Sequence, residues 1–350
     1  MNTAFCSRSP RTAAGLASAL ALGLVLTSCA SATPEAADGE DSIPVTFVEG
    51  LDVFPYEVVS VAIDQGFFEE NGITAEIVNA ENEFTAIASD SAQFAIGGTL
   101  AVFDANDEGL PIQTIFASMD GLGMNTLYSN ALVEEAGLTA DSPLEEKLLA
   151  LEGHTIGLTG PGGDDETFFR WFLNSVGLDP DTDVSFAYIG GTADRIAAMD
   201  AGSIDAYMSS IPAAELGEFR GVGQRMIVPA ELDIPEIDGI PYSGVHVTRT
   251  YAEENPDVVE SVGAALAEAA NWMVANPDET ITFIESIYPD YDPAVVEAGM
   301  NSIFPAIPES GRMTQDGWDK LAVVAVEAGI VDGEVDTAEG VIWTNDYLPE

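Results

Sequence analysis

Cysteine is almost absent from this chain. The sequence contains two cysteines, Cys6 and Cys29, and both lie near the N-terminus. No pair therefore remains for a disulfide framework in the body of the chain, and no cysteine cluster is available to hold a metal. About 300 residues follow Ile43, enough for two domains with buried cores, and the hydrophobic fraction of 47% is globular.

Basic residues are also rare. Ten lysines and arginines stand against sixty acidic residues, which gives a formal net charge of −50. Such a body repels nucleic acid and anionic lipid, so we expect no nucleic-acid partner. Acidic surfaces of this extent are common in salty surroundings, where screening weakens self-repulsion. A saline habitat and an ordinary acidic secreted protein both remain open.

The patterns of common catalysts are missing. The chain has two histidines, His154 and His246, and no HExxH, GxSxG or cysteine-cluster motif. With sixty acidic side chains, close carboxylate pairs arise by chance and do not indicate a glycosidase or a metal site. We therefore predict that the protein is not an enzyme and has no catalytic residue, no metal site and no cofactor.

A single long apolar run lies at the N-terminus. Arg8 and Arg11 precede it, and Leu-Thr-Ser-Cys, ending at Cys29, closes it. This layout predicts a secretion signal over residues 1–28. The quartet Leu-Thr-Ser-Cys resembles the bacterial lipobox, in which the cysteine carries lipid. Residues 29–42 are small, polar and acidic, which is typical of a disordered tether. We expect a lipid-anchored protein on the extracytoplasmic face of the cell membrane; a plain signal peptide is the alternative.

Strand and helix patterns alternate along the folded body. The first unit contains VTFVE (45–49), a helix ending at Gly66, TAEIVNA (74–80), NEFTAIASD and AQFAIGG, in the order β-α-β-α-β. The same order returns about a hundred residues later, from HTIGLTG (154–160) to IDAYMSS. The sequence predicts α/β architecture with mostly parallel sheets in two lobes, residues 43–124 with 243–350 and residues 125–242, and a helical C-terminal region.

Three stretches resemble a known family. They are PYEVVSVAIDQGFFEENGITAEIV, ALEGHTIGLTGPGGDDETFFRWFLNSVGLDPDTDVSFAYIGG and AAMDAGSIDAYMSSIP, and they are similar to the type II periplasmic binding proteins of ABC importers that bind sulfonates, nitrate and thiamine precursors. The resemblance covers roughly residues 45–277. It implies the two-lobed fold, a small-molecule ligand, an ABC-transporter permease as partner and a monomer. Asp90 and Gln93 depart from the family, which usually has Gly and Asp there.

Candidate ligand-binding residues follow from the loops at the carboxyl ends of the strands, where open α/β sheets bind ligands. The glycine-rich turn before DDET exposes backbone N–H groups at a helix N-terminus, and aromatic residues after the first strand offer flat surfaces. The candidates are Phe54, Tyr56, Gly98, Thr99, Asp120, Gly162, Gly163, Thr167, Gly191, Arg195, Ser209, Tyr242 and His246. Core packing of Phe54 and simple helix capping by the acidic residues after the glycine turn are the structural alternatives.

The acidity of these loops bears on the ligand. A free sulfonate would meet several carboxylates, and buried like charges repel. We therefore expect a neutral or cationic organic nutrient with a flat, pyrimidine-precursor-like ring, stacked on Tyr56 or Phe54 and bonded to the backbone of Gly162 and Gly163. The alternative is an aliphatic sulfonate held by Arg195 and the helix N-terminus. A module that presents ligand to a membrane sensor, and an extracellular hydrolase, are further alternatives.

Overall fold

Strands and helices alternate from residue 43 to residue 248, and helices follow, as the sequence pattern predicts. The computed structural model describes residues 42–51, 53–80, 82–331 and 333–349. The predicted signal peptide, the predicted lipidation of Cys29 and the tether up to residue 41 lie outside the described residues. Ten strands are present in the described part: β1 (Ile43–Glu49), β2 (Ile73–Asn79), β3 (Phe94–Gly98), β4 (Ile112–Asp120), β5 (Met124–Ser129), β6 (Thr155–Leu158), β7 (Ser185–Tyr188), β8 (Ala206–Ser210), β9 (Gly223–Ile227) and β10 (Pro241–Thr248).

Fourteen α-helices accompany these strands in the same part of the chain. They are α1 (Val58–Asp64), α2 (Phe67–Glu70), α3 (Glu83–Ala88), α4 (Leu100–Asp107), α5 (Asn130–Ala136), α6 (Leu144–Leu149), α7 (Asp164–Ser175), α8 (Thr192–Asp200), α9 (Ala213–Phe219), α10 (Arg249–Glu254), α11 (Pro256–Ala275), α12 (Pro277–Ile287), α13 (Pro293–Ile303) and α14 (Gln315–Glu327). Among the residues described, none of these helices combines the length and apolarity that crossing a bilayer requires.

The strands form two five-stranded mixed sheets. Sheet A has the order β2-β1-β3-β10-β4 and sheet B the order β7-β6-β8-β5-β9. In sheet A, β1 pairs in parallel with β2 and β3, and β10 runs antiparallel to β3 and β4. In sheet B, β6 pairs in parallel with β7 and β8, and β5 runs antiparallel to β8 and β9. The two sheets therefore share one topology, and the predicted α/β fold class is confirmed.

The chain crosses between the sheets twice. The first crossing joins β4 to β5 through residues 121–123, and the second joins β9 to β10 through residues 228–240. The N–H of Gly121 donates to the carbonyl of Ile240 over 2.7 Å, so the two crossings lie side by side. The predicted lobe boundaries, after residues 124 and 242, lie one residue into β5 and two residues into β10.

One turn occurs in the same form in both halves. Ahead of β3, Asp90 has φ 58°, and ahead of β8, Gly202 has φ 69°. The side chain of Gln93 accepts a hydrogen bond from the N–H of Thr46 (2.9 Å), as Asp205 does from the N–H of Thr155 (2.8 Å). The departures from the family pattern thus leave the turn geometry intact, because aspartate tolerates the left-handed region and glutamine reaches the same donor.

The proline-led helices begin differently from the sequence pattern. Asn255, Asn276 and Asp292 each precede a proline, a pattern that predicts a side-chain cap. Asp292 does cap α13, because its carboxylate accepts from the N–H of Ala294 over 3.0 Å. The two asparagines instead donate backwards, to the carbonyls of Tyr251 (3.0 Å) and Trp272 (2.9 Å), so the cap prediction was wrong for them.

Candidate ligand-binding cleft

A cavity of about 360 Å³ lies where the strand ends of the two sheets meet. Residues that follow the parallel strands of each sheet line it, together with the first residues of the crossing strands β5 and β10. The lining residues are Leu51, Val53, Tyr56, Glu83, Gly98, Ala101, Met124, Thr159, Gly163, Asp164, Asp165, Gly190, Thr192, Arg195, Ser209, Ser210 and Tyr242. Both halves of the chain therefore contribute to one cleft, at the edge where open α/β sheets bind ligands.

Two tyrosines supply its aromatic surface. Tyr56 ends the short 3-10 helix Phe54–Tyr56, in which Pro55 fixes the first turn, and Tyr242 is the second residue of β10. The hydroxyls of Tyr242 and Ser210 are hydrogen-bonded over 2.9 Å, which joins β10 of sheet A to β8 of sheet B. Burial raises the pKa of both tyrosines, so both phenols are neutral at physiological pH.

Glu83 enters the cavity from the sheet A half. It is the first residue of α3, whose N-cap Asn82 accepts from the N–H of Thr85 over 2.7 Å. Its carboxylate lies between the ends of β1 and β3: a β-carbon at Gly50 would come within 2.7 Å of one carboxylate oxygen, and one at Gly97 within 2.9 Å of the other. Glycine at both positions makes room for this side chain. Burial raises the pKa of Glu83 above its ordinary value of 4.5.

Asp164 enters from the sheet B half, as the first residue of α7. A β-carbon on Gly98 would lie 2.5 Å from its Oδ2, so the glycine at the end of β3 admits this carboxylate. Burial, followed by the charges of Asp165 and Glu83, raises the pKa of Asp164 from 3.8 to about 7. The cavity thus holds a carboxyl group that is ionised less readily than an ordinary aspartate.

The other charged groups of the sheet B wall are occupied by the protein itself. Asp165 accepts from the N–H and the hydroxyl of Thr159, over 2.5 and 2.7 Å. Arg195, which is 2% exposed, donates through Nη1 to the carbonyls of Ile189 (2.8 Å) and Gly190 (3.1 Å), and its Nη2 donates to Ser209 (3.0 Å). Burial lowers the pKa of Arg195, and the nearby charge of Asp165 opposes that shift.

The glycine-rich turn before α7 is internally bonded. The N–H of Gly162, whose φ is 75°, donates to the carboxylate of Glu166 over 2.9 Å. The N–H of Gly163 donates to the carbonyl of Gly160 over 3.3 Å. Glu166 also binds Arg170 over 2.7 Å. The positive end of the α7 dipole is therefore matched by carboxylates of the chain rather than left open for an external anion.

Of the residues predicted from the sequence, the structure brings six into this cavity. They are Tyr56, Gly98, Gly163, Arg195, Ser209 and Tyr242. Gly162 and Thr167 line an adjoining cavity of about 410 Å³, which shares Ala101 and Asp164 with the first. Gly191 is the N-cap of α8, between two lining residues.

Four predicted residues lie elsewhere. Phe54 is buried against Tyr288, with ring centres 4.8 Å apart, so it packs in the core. Thr99 donates to the carbonyl of Pro241, and Asp120 lines a separate cavity of about 150 Å³ beside the crossings. His246 is fully buried inside sheet A.

The environment of His246 defines its state. Its Nε2 donates to the carbonyl of Gly97 over 3.1 Å, because a carbonyl only accepts, and its Nδ1 pairs with the hydroxyl of Thr114 over 3.0 Å. Burial lowers the pKa of His246 to about 4. It is a neutral core histidine that links β10 to its two neighbouring strands.

The main residue that sequence reasoning missed is Glu83. The candidate loops included those after the strands β1, β3, β6, β7 and β8, but not the one after β2. The carboxyl end of β2 meets the same sheet edge as its neighbours, so the rule that gave the other loops also applies to this one. Thr159 and Thr192 also line the cavity and were not among the candidates. Thr159 directly follows β6, and Thr192 is the first residue of α8.

This architecture, two mixed sheets with one cleft at their strand ends, is the type II periplasmic-binding-protein fold. A family model described as NMT1/THI5 like matches residues 57–280, more than half of the chain, and the chain belongs to that family.

Individual relatives are distant. The chain is 25% identical over 273 residues to the formylaminopyrimidine-binding protein of Halalkalibacterium halodurans, with 75% of each chain covered. It is 23% identical over 221 residues to the nitrate import ATP-binding protein NrtC of Synechocystis sp., covering 61% of this chain but only 32% of that protein. The chain spans about a third of the length of that relative.

A solved structure shows the shared fold. The alkanesulfonate-binding protein SsuA from Xanthomonas axonopodis pv. citri, bound to MOPS, superposes with a TM-score of 0.65 at 14% identity. The superposition covers 87% of this chain and 97% of that one.

Proposed function

We propose that the protein is an extracytoplasmic solute receptor that binds a small organic nutrient between two lobes and delivers it to an ABC-transporter permease, without catalysing a reaction. The observation that carries this proposal is the cavity at the strand ends, which takes residues from both sheets. A ligand in that position contacts both halves at once, so it favours an arrangement in which they are close together. The relatives that bind formylaminopyrimidine or alkanesulfonate support the class.

The lobes in this proposal are residues 43–124 with 243–350 and residues 125–242, and the anchor is lipid on Cys29. With this anchor the receptor would remain at the cell membrane, beside its permease. A Cys29→Ala variant should move from the membrane fraction to the soluble fraction after cell breakage. Retention of that variant in the membrane would refute the lipid anchor without affecting the binding proposal.

The proposed ligand is neutral or cationic and carries a flat ring. Tyr56 and Tyr242 give the cavity aromatic faces, and a volume of about 360 Å³ lies at the lower end of the range found for small-molecule sites. Ring stacking on a tyrosine, with polar groups directed to the cavity's hydroxyls and carboxylates, satisfies both kinds of surface. A pyrimidine-type precursor fits this description.

An aliphatic sulfonate is the second candidate, and one observation favours it. Within the described residues, the Nε of Arg195 is buried and has no hydrogen-bond partner. That N–H is a donor that a sulfonate oxygen would accept. Against this, the remaining donors of Arg195 are occupied and Asp165 lies beside it.

Thermal-shift screening followed by small-angle scattering tests the receptor proposal. Aminopyrimidines, amines and alkyl sulfonates are screened at high concentration; a ligand at a hundred times its Kd stabilises by about 2.7 kcal/mol. A stabilising solute should also reduce the radius of gyration as the lobes close. Proven binding with an unchanged radius would contradict closure, and the absence of any stabilising solute would contradict the receptor function.

A further inference from the structure

Two carboxylates without a basic partner face the cavity, one from each half of the chain. Glu83 opens α3 beside sheet A, and Asp164 opens α7 beside sheet B. Among the described residues, no lysine or arginine forms an ion pair with either of them. They differ in this from Glu166 and Glu215, which pair with Arg170 and Arg225 over 2.7 and 3.1 Å.

The backbone around both carboxylates is shaped to admit them. Gly50 and Gly97 flank Glu83, and Gly98 lies next to Asp164. At each of these glycines a β-carbon would lie less than 3.0 Å from a carboxylate oxygen. Gly97 and Gly98 are consecutive residues at the end of β3, so one strand end holds the two side chains from opposite halves. Their charges also interact, since Glu83 contributes to the raised pKa of Asp164.

The positive groups of the cleft do not neutralise this pair. The Nη1 and Nη2 atoms of Arg195 donate to Ile189, Gly190 and Ser209, and its charge faces Asp165. The N-terminus of α7 is matched by its own acidic side chains, such as Glu166. Beyond the unpartnered Nε of Arg195, an anionic solute would therefore meet two carboxylates with few compensating donors, whereas a cation would relieve their repulsion.

We infer that the solute carries a planar, positively charged nitrogen group, of the amidinium or protonated amino-heterocycle class, and that Glu83 and Asp164 each accept one of its N–H donors. This inference rests on the proposed receptor function and names its substrate class. Charge-assisted hydrogen bonds from two N–H groups supply both energy and direction. The rings of Tyr56 and Tyr242, which line the same cavity, offer faces that attract a cation.

Because one acceptor comes from each half, the cation would bridge the two. Binding is also linked to the ionisation of Asp164: a cation favours the charged carboxylate, so affinity rises as the pH increases through about 7. The charged groups around Asp164 are Glu83 across the cleft, Asp165 and Glu166 on its own helix, Arg195 behind Asp165, and Asp104 and Arg170 in the adjoining cavity.

Three probes that share one benzene ring test the inference: benzamidine, which is a cation throughout the pH range used, the neutral benzamide and the anionic benzenesulfonate. Calorimetric titrations compare the wild type with Glu83→Gln and Asp164→Asn, which keep side-chain shape. Glu134→Gln, an exposed site on α5, is the matched control for loss of one charge. Thermal melts establish that each variant is folded.

In the wild type we expect benzamidinium to bind at least about tenfold more tightly than benzamide, with benzenesulfonate weakest. Each of the two cleft variants should weaken benzamidinium by about tenfold or more while leaving benzamide unchanged. Raising the pH from 5.5 to 8 should tighten benzamidinium in the wild type, and Asp164→Asn should flatten that dependence.

Equal affinity for benzamidinium and benzamide, or unchanged affinity in both cleft variants, overturns the inference. So does the absence of benzamidinium binding. If another solute stabilises and closes the protein in that case, the receptor function stands and only the cationic class is lost; if no solute of any charge binds, both proposals fall.

Discussion

Helices α3 and α8 occupy equivalent places in the two halves of the chain, since each follows the second parallel strand of its sheet, yet they bring opposite charges to the cleft. On α8, Arg195 donates to Ile189, Gly190 and Ser209. On α3, Glu83 lies between two glycines with no ion-pair partner among the described residues. Arg195 therefore holds the loops of the sheet B half together, whereas Glu83 of the sheet A half lines the cavity.

The difference separates structural from recognition roles within one cleft. A buried charge that donates to several groups of the protein is costly to remove, because those groups lose their donor. A buried carboxylate without an ion-pair partner instead destabilises the empty protein, and removing its charge relieves that cost. Removing the hydrogen-bonded Arg195 and removing a carboxylate without an ion-pair partner should therefore change stability in opposite directions.

Removing the Arg195 side chain should have the largest effect on the free energy of unfolding. Arg195→Ala removes the donors to two loop carbonyls and to Ser209, and leaves Asp165 buried without the nearby cation. We expect a loss of about 3 kcal/mol in the free energy of unfolding. Urea unfolding at constant salt measures it, with the exposed Arg220→Ala as control. A loss within 0.5 kcal/mol of that control, roughly the range of surface substitutions, would show that Arg195 does not hold the loops.

The next effect on stability should come from adding a methyl group at Gly98, between the two halves of the cleft. In Gly98→Ala the new β-carbon would lie 2.5 Å from Oδ2 of Asp164, so this carboxylate has to rotate away from its place in the cavity. We expect destabilisation by about 1 kcal/mol. Gly160→Ala is the control, because a β-carbon at that residue would meet no heavy atom within 4 Å.

A double variant identifies the clashing atom. Adding Asp164→Ala to Gly98→Ala removes the carboxylate, so most of the loss should be recovered in a double-mutant cycle. Simple additivity of the two single changes would show that Gly98 is required for another reason.

The charge on Asp164 gives an effect of similar size that depends on pH. Its pKa is about 7 in the folded protein against an ordinary value of 3.8, so the unfolded chain loses this proton first as pH rises. The group therefore lowers stability progressively between those two values. Without ligand, Asp164→Asn should match the wild type at pH 4 and exceed it by roughly 1–2 kcal/mol at pH 8.

Chemical denaturation across pH measures that difference, and Glu134→Gln shows the general effect of removing one negative charge. A variant that is less stable than the wild type at pH 8 would mean that the carboxylate is satisfied by the protein and is not strained.

The smallest expected effect concerns the turn that the two halves share. Asp90 adopts φ 58° where the other half has Gly202 at φ 69°. Asp90→Gly should stabilise by about 0.5 kcal/mol, because glycine adopts this region without strain, and Gly202→Ala should destabilise by about 1 kcal/mol. Thermal melts of the pair test the equivalence; equal signs for both changes would contradict it.

The fold was largely predictable because its signals are local. Strands such as Phe94–Gly98 and Ala206–Ser210 are short apolar runs between helices, and the β-α-β-α-β order that appears twice defines the sheets. Local signals fail where distant parts of the chain decide. Phe54 and Tyr56 lie two residues apart in one turn, yet Tyr288 covers the first, while the second reaches the cleft.

The site was predictable only in part, for a related reason. Glu83 and Asp164 are about eighty residues apart. With sixty acidic residues in the chain, the sequence does not indicate that these two lie close together in the fold. The glycines that admit them give a weak signal, because glycine at a strand end is equally typical of an ordinary turn. Asn255 and Asn276 show a further limit, since a preceding helix offers them carbonyl acceptors that a single-helix pattern does not include.

The bond from Gly121 to Ile240 ties the two crossings between the sheets together. It joins the two crossings into a two-stranded ribbon, and residues at its end, Asp120 and Pro241, are paired as well. The two sheet-bearing halves are thus connected by two crossings that are hydrogen-bonded to each other, so in the proposed closure both crossings have to move together.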